Sequence, residues 1–280
     1  MIKELHLDRR DSNTWEYCGK RIQVSPSWFW ISCPKGLKSL DTVSIPKGSP
    51  PDRRLTAEEL QSYRSVLGVL LYLATWVRWD SLVAASLCSQ RTTKATVADA
   101  RALNKISRQT ASRPDLGIRI RRGVVDISNC MILAWADSAF ANAEDEKFQC
   151  GVCVGLAPKG ETNLHLTGNL TMILPISGYS GTVKRTVRST LAAEAYAVSE
   201  GVEAAQFLRH VLLELLQDPR QPGSTLQRVE KVRWTIPIVC CTDSDNLDKS
   251  INSDSESVKD KTAAHLWCCS RSGRQRKQQR

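Results

Sequence analysis

Three acidic residues stand in settings that place them on regular elements rather than in loops. Asp137 ends the apolar run ILAWAD, and Asp243 ends the apolar run IPIVCCTD. Glu194 lies in the segment RSTLAAEAYA, which is typical of a helix with a small and apolar surface. The order is therefore a strand-end carboxylate, a helix carboxylate and a second strand-end carboxylate.

These residue types suit the binding of hard divalent cations, which prefer carboxylate oxygen ligands. Two such ions about 3.5–4 Å apart can activate a water and stabilise the departing 3′ oxygen of a phosphodiester. Carboxylates on separate regular elements surround the ions without a loop having to become ordered. A glutamate on a helix has the reach to bridge the two strand-end aspartates. We expect Asp137, Glu194 and Asp243 to form a site for metal-dependent phosphodiester hydrolysis.

The elements that must position these residues follow a strand, strand, strand, helix, strand pattern. We predict strands at 131–137, 149–157, 162–175 and 235–242, a long helix at 187–216 and a short helix at 244–251. The long helix carries an apolar stripe at Leu191, Ala195, Val198, Val202, Ala205, Leu208, Leu212 and Leu215. The pattern favours an α/β ribonuclease H-like mixed sheet with flanking helices.

The first half of the chain is predicted to be mainly helical. Thr56 and Glu59 form a capping box, and Leu55 and Leu60 stand at the positions of a hydrophobic staple. Helices are expected from residue 56, across 79–90 and across 97–110. Residues 16–24 suit a strand pair that turns at Gly19.

Five segments follow from these patterns. They are a strand and linker region at 1–55, a helical subdomain at 56–115, a linker at 116–130, a ribonuclease H-like domain at 131–265 and a basic, disordered tail at 266–280. Within the linker, Arg119, Arg121 and Arg122 suit either phosphate contacts or a solvated basic connection.

Composition narrows the functional classes. The net charge of +10 and the pI of about 9.2 favour nucleic acid as a partner, although residues 271–280 alone hold five cations and no acid. No apolar stretch reaches the roughly 20 residues of a membrane span, and the N-terminus lacks a secretory signal. We therefore expect an intracellular protein of cytoplasm or nucleus. The ten cysteines are expected to be free thiols.

Two blocks, in this order, resemble the C-terminal part of the Pol polyprotein of copia-type LTR retrotransposons. The first is YRSVLGVLLYLA at 63–74, similar to the block that follows the family's polymerase palm and thumb. The second is the set of three carboxylates, above all STLAAEAY at 189–196. The resemblance covers 56–265 and implies the end of a reverse transcriptase followed by a ribonuclease H domain.

The resemblance implies a function and a set of roles. Asp137, Glu194 and Asp243 would be the catalytic metal ligands, with two Mg²⁺ or Mn²⁺ ions when the site is fully active. The substrate would be the RNA strand of an RNA–DNA hybrid, held by its backbone and 2′-hydroxyls.

The chain departs from the family in two places. The family's fourth acid belongs at about Leu266, after Lys259-Asp260-Lys261, and residues 262–280 hold no acid; a frame change near residue 262 would explain this. The polymerase Tyr-x-Asp-Asp hairpin is missing, so DNA synthesis by this chain is not expected. The alternatives are therefore a catalytically decayed nucleic-acid-binding remnant and a host-domesticated structural module.

Overall fold

The computed structural model describes residues 13–139, 148–159, 173–183, 189–216, 236–253 and 268–269. Contacts between residues divide the chain into two units, Met1–Arg122 and Gly123–Arg280. Each unit has its own hydrophobic core.

The first unit contains a four-stranded antiparallel sheet in the order β1-β2-β3-β4. Its strands are β1 Thr14–Tyr17, β2 Lys20–Val24, β3 Trp28–Ser32 and β4 Ile118–Arg121. The turn between β1 and β2 has positive φ at both central residues, 47° at Cys18 and 73° at Gly19. A two-residue hairpin loop of this kind matches the right-handed twist of its strands, which explains the turn expected at Gly19.

Strand β4 changes the expected division of the chain. Residues 116–130 were expected to be a linker, but Ile118–Arg121 instead pairs with β3, and Ile127–Asn129 is a short 3-10 helix. The chain divides between Arg122 and Gly123. The alternation of isoleucine and arginine in β4 is the pattern of a strand with one apolar and one charged face.

The helices of the first unit are α1 Pro34–Lys38, α2 Ala57–Trp76, α3 Leu82–Ser89 and α4 Val97–Ala111, with a 3-10 turn at Trp79–Ser81 before α3. The predicted capping box is confirmed, because Thr56 accepts from Glu59 N–H and Glu59 accepts from Thr56 N–H. Buried side chains of α2, α3 and α4 meet in one core that includes Tyr63, Leu70, Ala85 and Leu103.

A buried arginine joins the end of α2 to the end of α4. The Arg78 side chain is 1% exposed and forms two hydrogen bonds with Asp80, at 2.9 and 2.8 Å. Its remaining donors reach the carbonyl oxygens of Thr110, at 2.5 Å, and Arg113, at 3.2 Å. Bidentate pairing and carbonyl acceptors satisfy a charge that would otherwise be costly to bury.

The second unit contains a five-stranded mixed sheet in the order β7-β6-β5-β8-β9. Its strands are β5 Cys130–Ala139, β6 Gln149–Pro158, β7 Leu174–Thr182, β8 Ile238–Cys241 and the two-residue β9 Cys268–Cys269. Strands β5, β6 and β7 are antiparallel, whereas β8 is parallel to β5 and β9 to β8. A central first strand with an antiparallel meander on one side and parallel strands on the other is the ribonuclease H-like sheet that was predicted.

Two helices complete the described part of this unit, α5 Thr190–Leu216 and α6 Asp245–Ser253. Helix α5 packs on the sheet through its smallest residues, which are Ala193, Ala197, Gly201 and Ala205. A Cβ placed on Gly201 would lie 3.3 Å from the Cβ of Ala136 on β5, so the helix and strand approach closely.

Two predictions for this unit were wrong in detail. The third strand was expected at 162–175 but is Leu174–Thr182; residues 160–172 lie outside the described part of the chain. The strand was not predicted because it contains Pro175, Gly178 and Gly181, and proline and glycine are uncommon in strands. The predicted stripe on α5 was also partly misplaced, because Leu191 is 39% and Leu215 is 74% exposed and Ala195 is exposed as well. The helix turns its small residues inward because they allow a closer approach than leucine would.

Several expectations fall outside the described residues. They concern Asp260, Leu266 and the tail at 266–280, of which only the backbone of 268–269 is described. In the parts of the chain that the structure describes, none of the helices combines the length and apolar character of a membrane span.

Candidate metal centre

The two aspartates are brought together by the register of two parallel strands. Strand β8 pairs with β5 so that Trp135 lies opposite Cys241. Two residues further on, Asp137 and Asp243 lie side by side near the C-terminal ends of these two strands, a place here called the edge of the sheet. Both side chains are exposed at this edge. The apolar runs before them fill the core and thereby fix the position of each carboxylate.

Helix α5 supplies the third carboxylate. Ser189 caps the helix, since its hydroxyl accepts from the N–H of Ala192 at 3.2 Å. Glu194 therefore lies in the second turn, directly after the buried Ala193. The small residues that allow α5 to approach β5 bring the Glu194 side chain within reach of the sheet edge.

The three carboxylates converge on one point. One oxygen each from Asp137, Glu194 and Asp243 lie within 4.8 Å of one another. A cation at the centre of oxygens so spaced lies no more than about 2.8 Å from each, near the 2.0–2.6 Å of Mg²⁺ and Ca²⁺ ligands. Among the described residues, no other cluster of three metal-ligating side chains meets this criterion. The arrangement is an acidic cluster that can hold a metal ion.

One oxygen of the cluster lacks a protein partner. Glu194 Oε2 is buried and accepts no hydrogen bond. The hydrogen bonds that the Glu194 carboxylate accepts from the hydroxyl and the N–H of Ser138 therefore go to its other oxygen. A buried carboxylate oxygen without a donor costs free energy unless a cation or proton satisfies it. The donor set, all hard oxygen, therefore fits a hard divalent cation.

The electrostatics of the three carboxylates oppose their ionisation. Although Asp137 is exposed to solvent, partial burial of its carboxylate against the protein raises its pKa, and the neighbouring Asp243 carboxylate raises it further. Burial also raises the pKa of Glu194, with hydrogen bonds from Ser138 lowering it and Asp137 and Asp243 raising it. Like charges held this close repel, and a cation between them removes the repulsion. The site is therefore preorganised for positive charge.

Sequence reasoning named the three carboxylates and missed Ser138. The only sequence signal for this serine is its place directly after Asp137 on β5, which directs its hydroxyl to the helix side of the sheet. By its hydrogen bonds to Glu194, Ser138 connects β5, which carries Asp137, to the Glu194 carboxylate of α5.

The cysteines do not form a second metal centre within the described residues. Cys150 lies opposite Ser138, and Cys153 lies opposite Trp135, so the two thiols leave opposite faces of β6. The eight cysteines whose side chains the structure describes are free thiols. Burial, followed by the charges of Glu200, Asp137 and Glu194, raises the pKa of Cys150 to about 11, so its thiol stays protonated at neutral pH.

Comparison with known proteins gives little guidance. No protein-family model and no curated protein sequence matches the chain. A solved structure of a foamy viral protease-reverse transcriptase in complex with an RNA/DNA hybrid is similar at 13% identity and a TM-score of 0.40. The similarity covers 91% of this chain and 30% of that one, so the chain spans less than a third of its neighbour's length. Strand order, not this distant likeness, identifies the fold.

Proposed function

We propose that the chain is a ribonuclease H-type hydrolase that cleaves the RNA strand of RNA–DNA hybrids with Mg²⁺ or Mn²⁺. The observation that carries the proposal is the convergence of Asp137, Glu194 and Asp243 at the edge of a ribonuclease H-like sheet. The buried, unpartnered oxygen of Glu194 supports a role in holding a cation.

In this mechanism the residues of the chain hold the cation and orient one another. Asp137 and Asp243 would hold the cation from the sheet, and Glu194 would hold it from α5. Ser138 positions Glu194 through its two hydrogen bonds. When bound, the divalent ions supply an activated water and stabilise the departing 3′ oxygen. Burial of Glu194 lowers the local dielectric and so strengthens its attraction to a cation.

The proposed substrate follows from fold and charge together. A net charge of +10 favours a polyanion, and a hybrid offers two phosphate backbones and the 2′-hydroxyls of one strand. Recognition would depend on shape and backbone rather than on base sequence.

The proposed origin is a copia-type LTR-retrotransposon Pol polyprotein. The blocks at 63–74 and 189–196, in that order, support it. The first unit would be the remnant of a reverse transcriptase, and the second unit would be its ribonuclease H domain. The protein would act in the cytoplasm or the nucleus. The sequence contains no Asp-Asp dipeptide, so it lacks the pair of carboxylates that polymerase chemistry requires.

A second candidate function is nucleic-acid binding without cleavage. It is favoured by one observation, that residues 262–280 contain no carboxylate where the resembled family has its fourth acid. With three carboxylates, the site has less negative charge for a second divalent ion. A chain of this kind would bind a hybrid and leave it intact.

The experiment that decides between the two functions measures cleavage of labelled RNA in an RNA–DNA hybrid by the purified full chain. It is done once in the presence of Mg²⁺ and once in the presence of Mn²⁺. Cleavage that Asp137→Asn and Glu194→Gln each abolish supports the hydrolase. Glu203→Gln is the matched control, since this glutamate is exposed on the same helix and lies outside the cluster.

Two results would oppose the proposal. Cleavage that survives the Asp137→Asn and Glu194→Gln double variant comes from another site or a contaminant. Binding of the hybrid with no cleavage by either metal supports the second candidate.

A further inference from the structure

The sheet of the first unit has two chemically different faces. Residues that lie opposite each other in antiparallel strands project from the same face. One face, here named the tryptophan–arginine face, carries Trp28, Trp30, Arg119, Arg121, Arg21 and Gln23. The other face carries Ile22, Val24, Phe29, Ile31, Ile118 and Ile120. The second face is apolar and partly buried, with Ile31 packed against a core that includes Cys33 and Leu73, whereas the first face combines aromatic and charged side chains.

The two tryptophans form an edge-to-face pair, here named the aromatic platform. The ring centroids of Trp28 and Trp30 are 6.4 Å apart with an interplanar angle of 69°. The guanidinium carbon of Arg119 lies 5.6 Å from each centroid. Both indoles are partly exposed, and Arg119 is exposed. A Cβ on Gly117 would lie 2.8 Å from Trp30 Nε1 and 2.3 Å from Ile31 O, so glycine is needed for β4 to lie this close to the platform.

The charge of this face is positive. Three arginines project from it, and Glu16 of β1, opposite Arg21, is its one carboxylate within the described strands. Lys35 already binds that carboxylate, with Nζ 2.5 Å from Oε2. The face therefore offers cations to a ligand without an unpaired acid to repel phosphate.

Structural stabilisation alone does not explain the whole arrangement. Arg119 lies over both rings and strengthens the pairing of β3 with β4. Arg121 is opposite Trp28 and is exposed, and its side chain has no hydrogen bond or ion pair with any described residue. A cation beside an aromatic platform, with its donors unused, is suited to an anionic ligand that also carries flat rings.

We propose that the tryptophan–arginine face binds single-stranded nucleic acid, with bases stacked on Trp28 and Trp30 and phosphates bound by Arg119 and Arg121. Stacking on aromatic side chains needs unpaired bases, because the bases of a duplex are already stacked on one another. The cations follow the backbone of the same strand. This inference does not rest on the proposed cleavage, since the face and the acidic cluster belong to different units.

The test measures binding of a fluorescent single-stranded oligonucleotide to the full chain in a chelating buffer, so that no metal-dependent cleavage occurs. Trp28→Leu and Trp30→Leu are each expected to weaken binding about tenfold, the scale of one lost stacking contact. Trp28→Phe and Trp30→Phe are expected to retain most of the affinity, because phenylalanine still offers a ring. Trp76→Leu is the matched control, as Trp76 is 52% exposed outside this sheet.

The arginine is tested by the salt dependence of binding. Arg121→Gln is expected to weaken binding and to reduce the slope of log affinity against log salt by about 0.7, the value for one phosphate contact on a single strand. Lys105→Gln, an exposed cation on α4, is expected to leave that slope unchanged.

Three results would overturn the proposal. The first is unchanged affinity in a leucine variant that melts as the wild type does. The second is equal binding of a duplex or an acidic polypeptide, which would mark a general polyanion or protein surface. The third result applies if the variants fail to fold. It is that ultraviolet cross-linking of the oligonucleotide to the wild-type chain labels neither Trp28 nor Trp30. Loss of hybrid cleavage through Asp137→Asn should leave this binding intact, so the two proposals fail separately.

Discussion

Asp137 and Asp243 lie side by side because β8 pairs with β5 in a register that sets Trp135 opposite Cys241. The two aspartates are far apart in sequence, and only the parallel pairing of their strands unites them. A metal ion held between them, as proposed, would therefore report that β8 has docked on β5. Metal binding and the folding of this sheet would be coupled for the same reason.

The first prediction is a reversal in the effect of Asp137→Asn on thermal stability. In a chelator the variant should melt higher than the wild type, because it removes one of three mutually repelling carboxylates. With Mg²⁺ present the wild type should be stabilised and the variant much less so, since ligand binding to the folded state raises stability. Calorimetry with and without Mg²⁺ measures both. A variant less stable than the wild type in chelator would contradict the repulsion.

The second prediction concerns the close approach of α5 to β5. Gly201→Ala should destabilise the second unit by about 1–3 kcal/mol, because the added methyl group would lie 3.3 Å from the Cβ of Ala136. Shifting α5 would also move Glu194 and reduce hybrid cleavage. Gly68→Ala on α2 is the control. Nothing lies within 4 Å of its added Cβ, so this change should stabilise by about 0.5–1 kcal/mol. Denaturant unfolding compares them, and equal effects would contradict the steric argument.

The third prediction concerns Ser138. Its hydrogen bonds lower the pKa of Glu194, so Ser138→Ala should raise that pKa. A carboxyl that holds its proton to higher pH binds a cation less well at acidic pH. The acidic limb of the cleavage profile should move to higher pH, and more Mg²⁺ should be needed there. Ser138→Thr keeps the hydroxyl and should behave more like the wild type. A Ser138→Ala profile that falls only in height, at every pH, would indicate a general loss of structure instead.

The fourth prediction concerns the buried Arg78. Arg78→Met should destabilise the first unit by about 2–4 kcal/mol, because it leaves the carbonyls of Thr110 and Arg113 without their donor. Arg108→Met, at an exposed site on α4, should have little effect. Hydrogen exchange of amides in α2 and α4 measures the change. Similar loss of protection in both variants would contradict a special role for Arg78.

The fifth prediction follows from the partner of that arginine. Hydrogen bonds from Arg78 lower the pKa of Asp80 below its usual value. The ionised carboxylate therefore stabilises the folded state above the unfolded pKa of about 3.9, and this stability is lost as the pH falls through the folded pKa. Acid unfolding of the first unit should be less steep in Asp80→Asn, which cannot titrate. An unchanged acid transition would show that Asp80 does not contribute to it.

Local patterns were sufficient to predict much of the fold. The capping box at Thr56 and Glu59 is a contact between residues three apart, so the sequence alone specifies it. The apolar runs that end in Asp137 and Asp243 predicted buried strands, because a run of apolar residues is also a property of one segment of the sequence. The third strand was misplaced because Gly178 and Pro175 weaken the local signal, and its pairing with β6 decides its position.

Tertiary structure decided what depends on residues distant in the chain. The residue types and order of Asp137, Glu194 and Asp243 were sequence properties that predicted a metal site. Their convergence within 4.8 Å required strand register and a close helix, neither of which a single segment encodes. The pairing of β4 with β3, which places Arg119 over Trp28 and Trp30, joins segments almost ninety residues apart. Side-chain pattern determines which face of an element is apolar, whereas only packing between elements determines which faces meet.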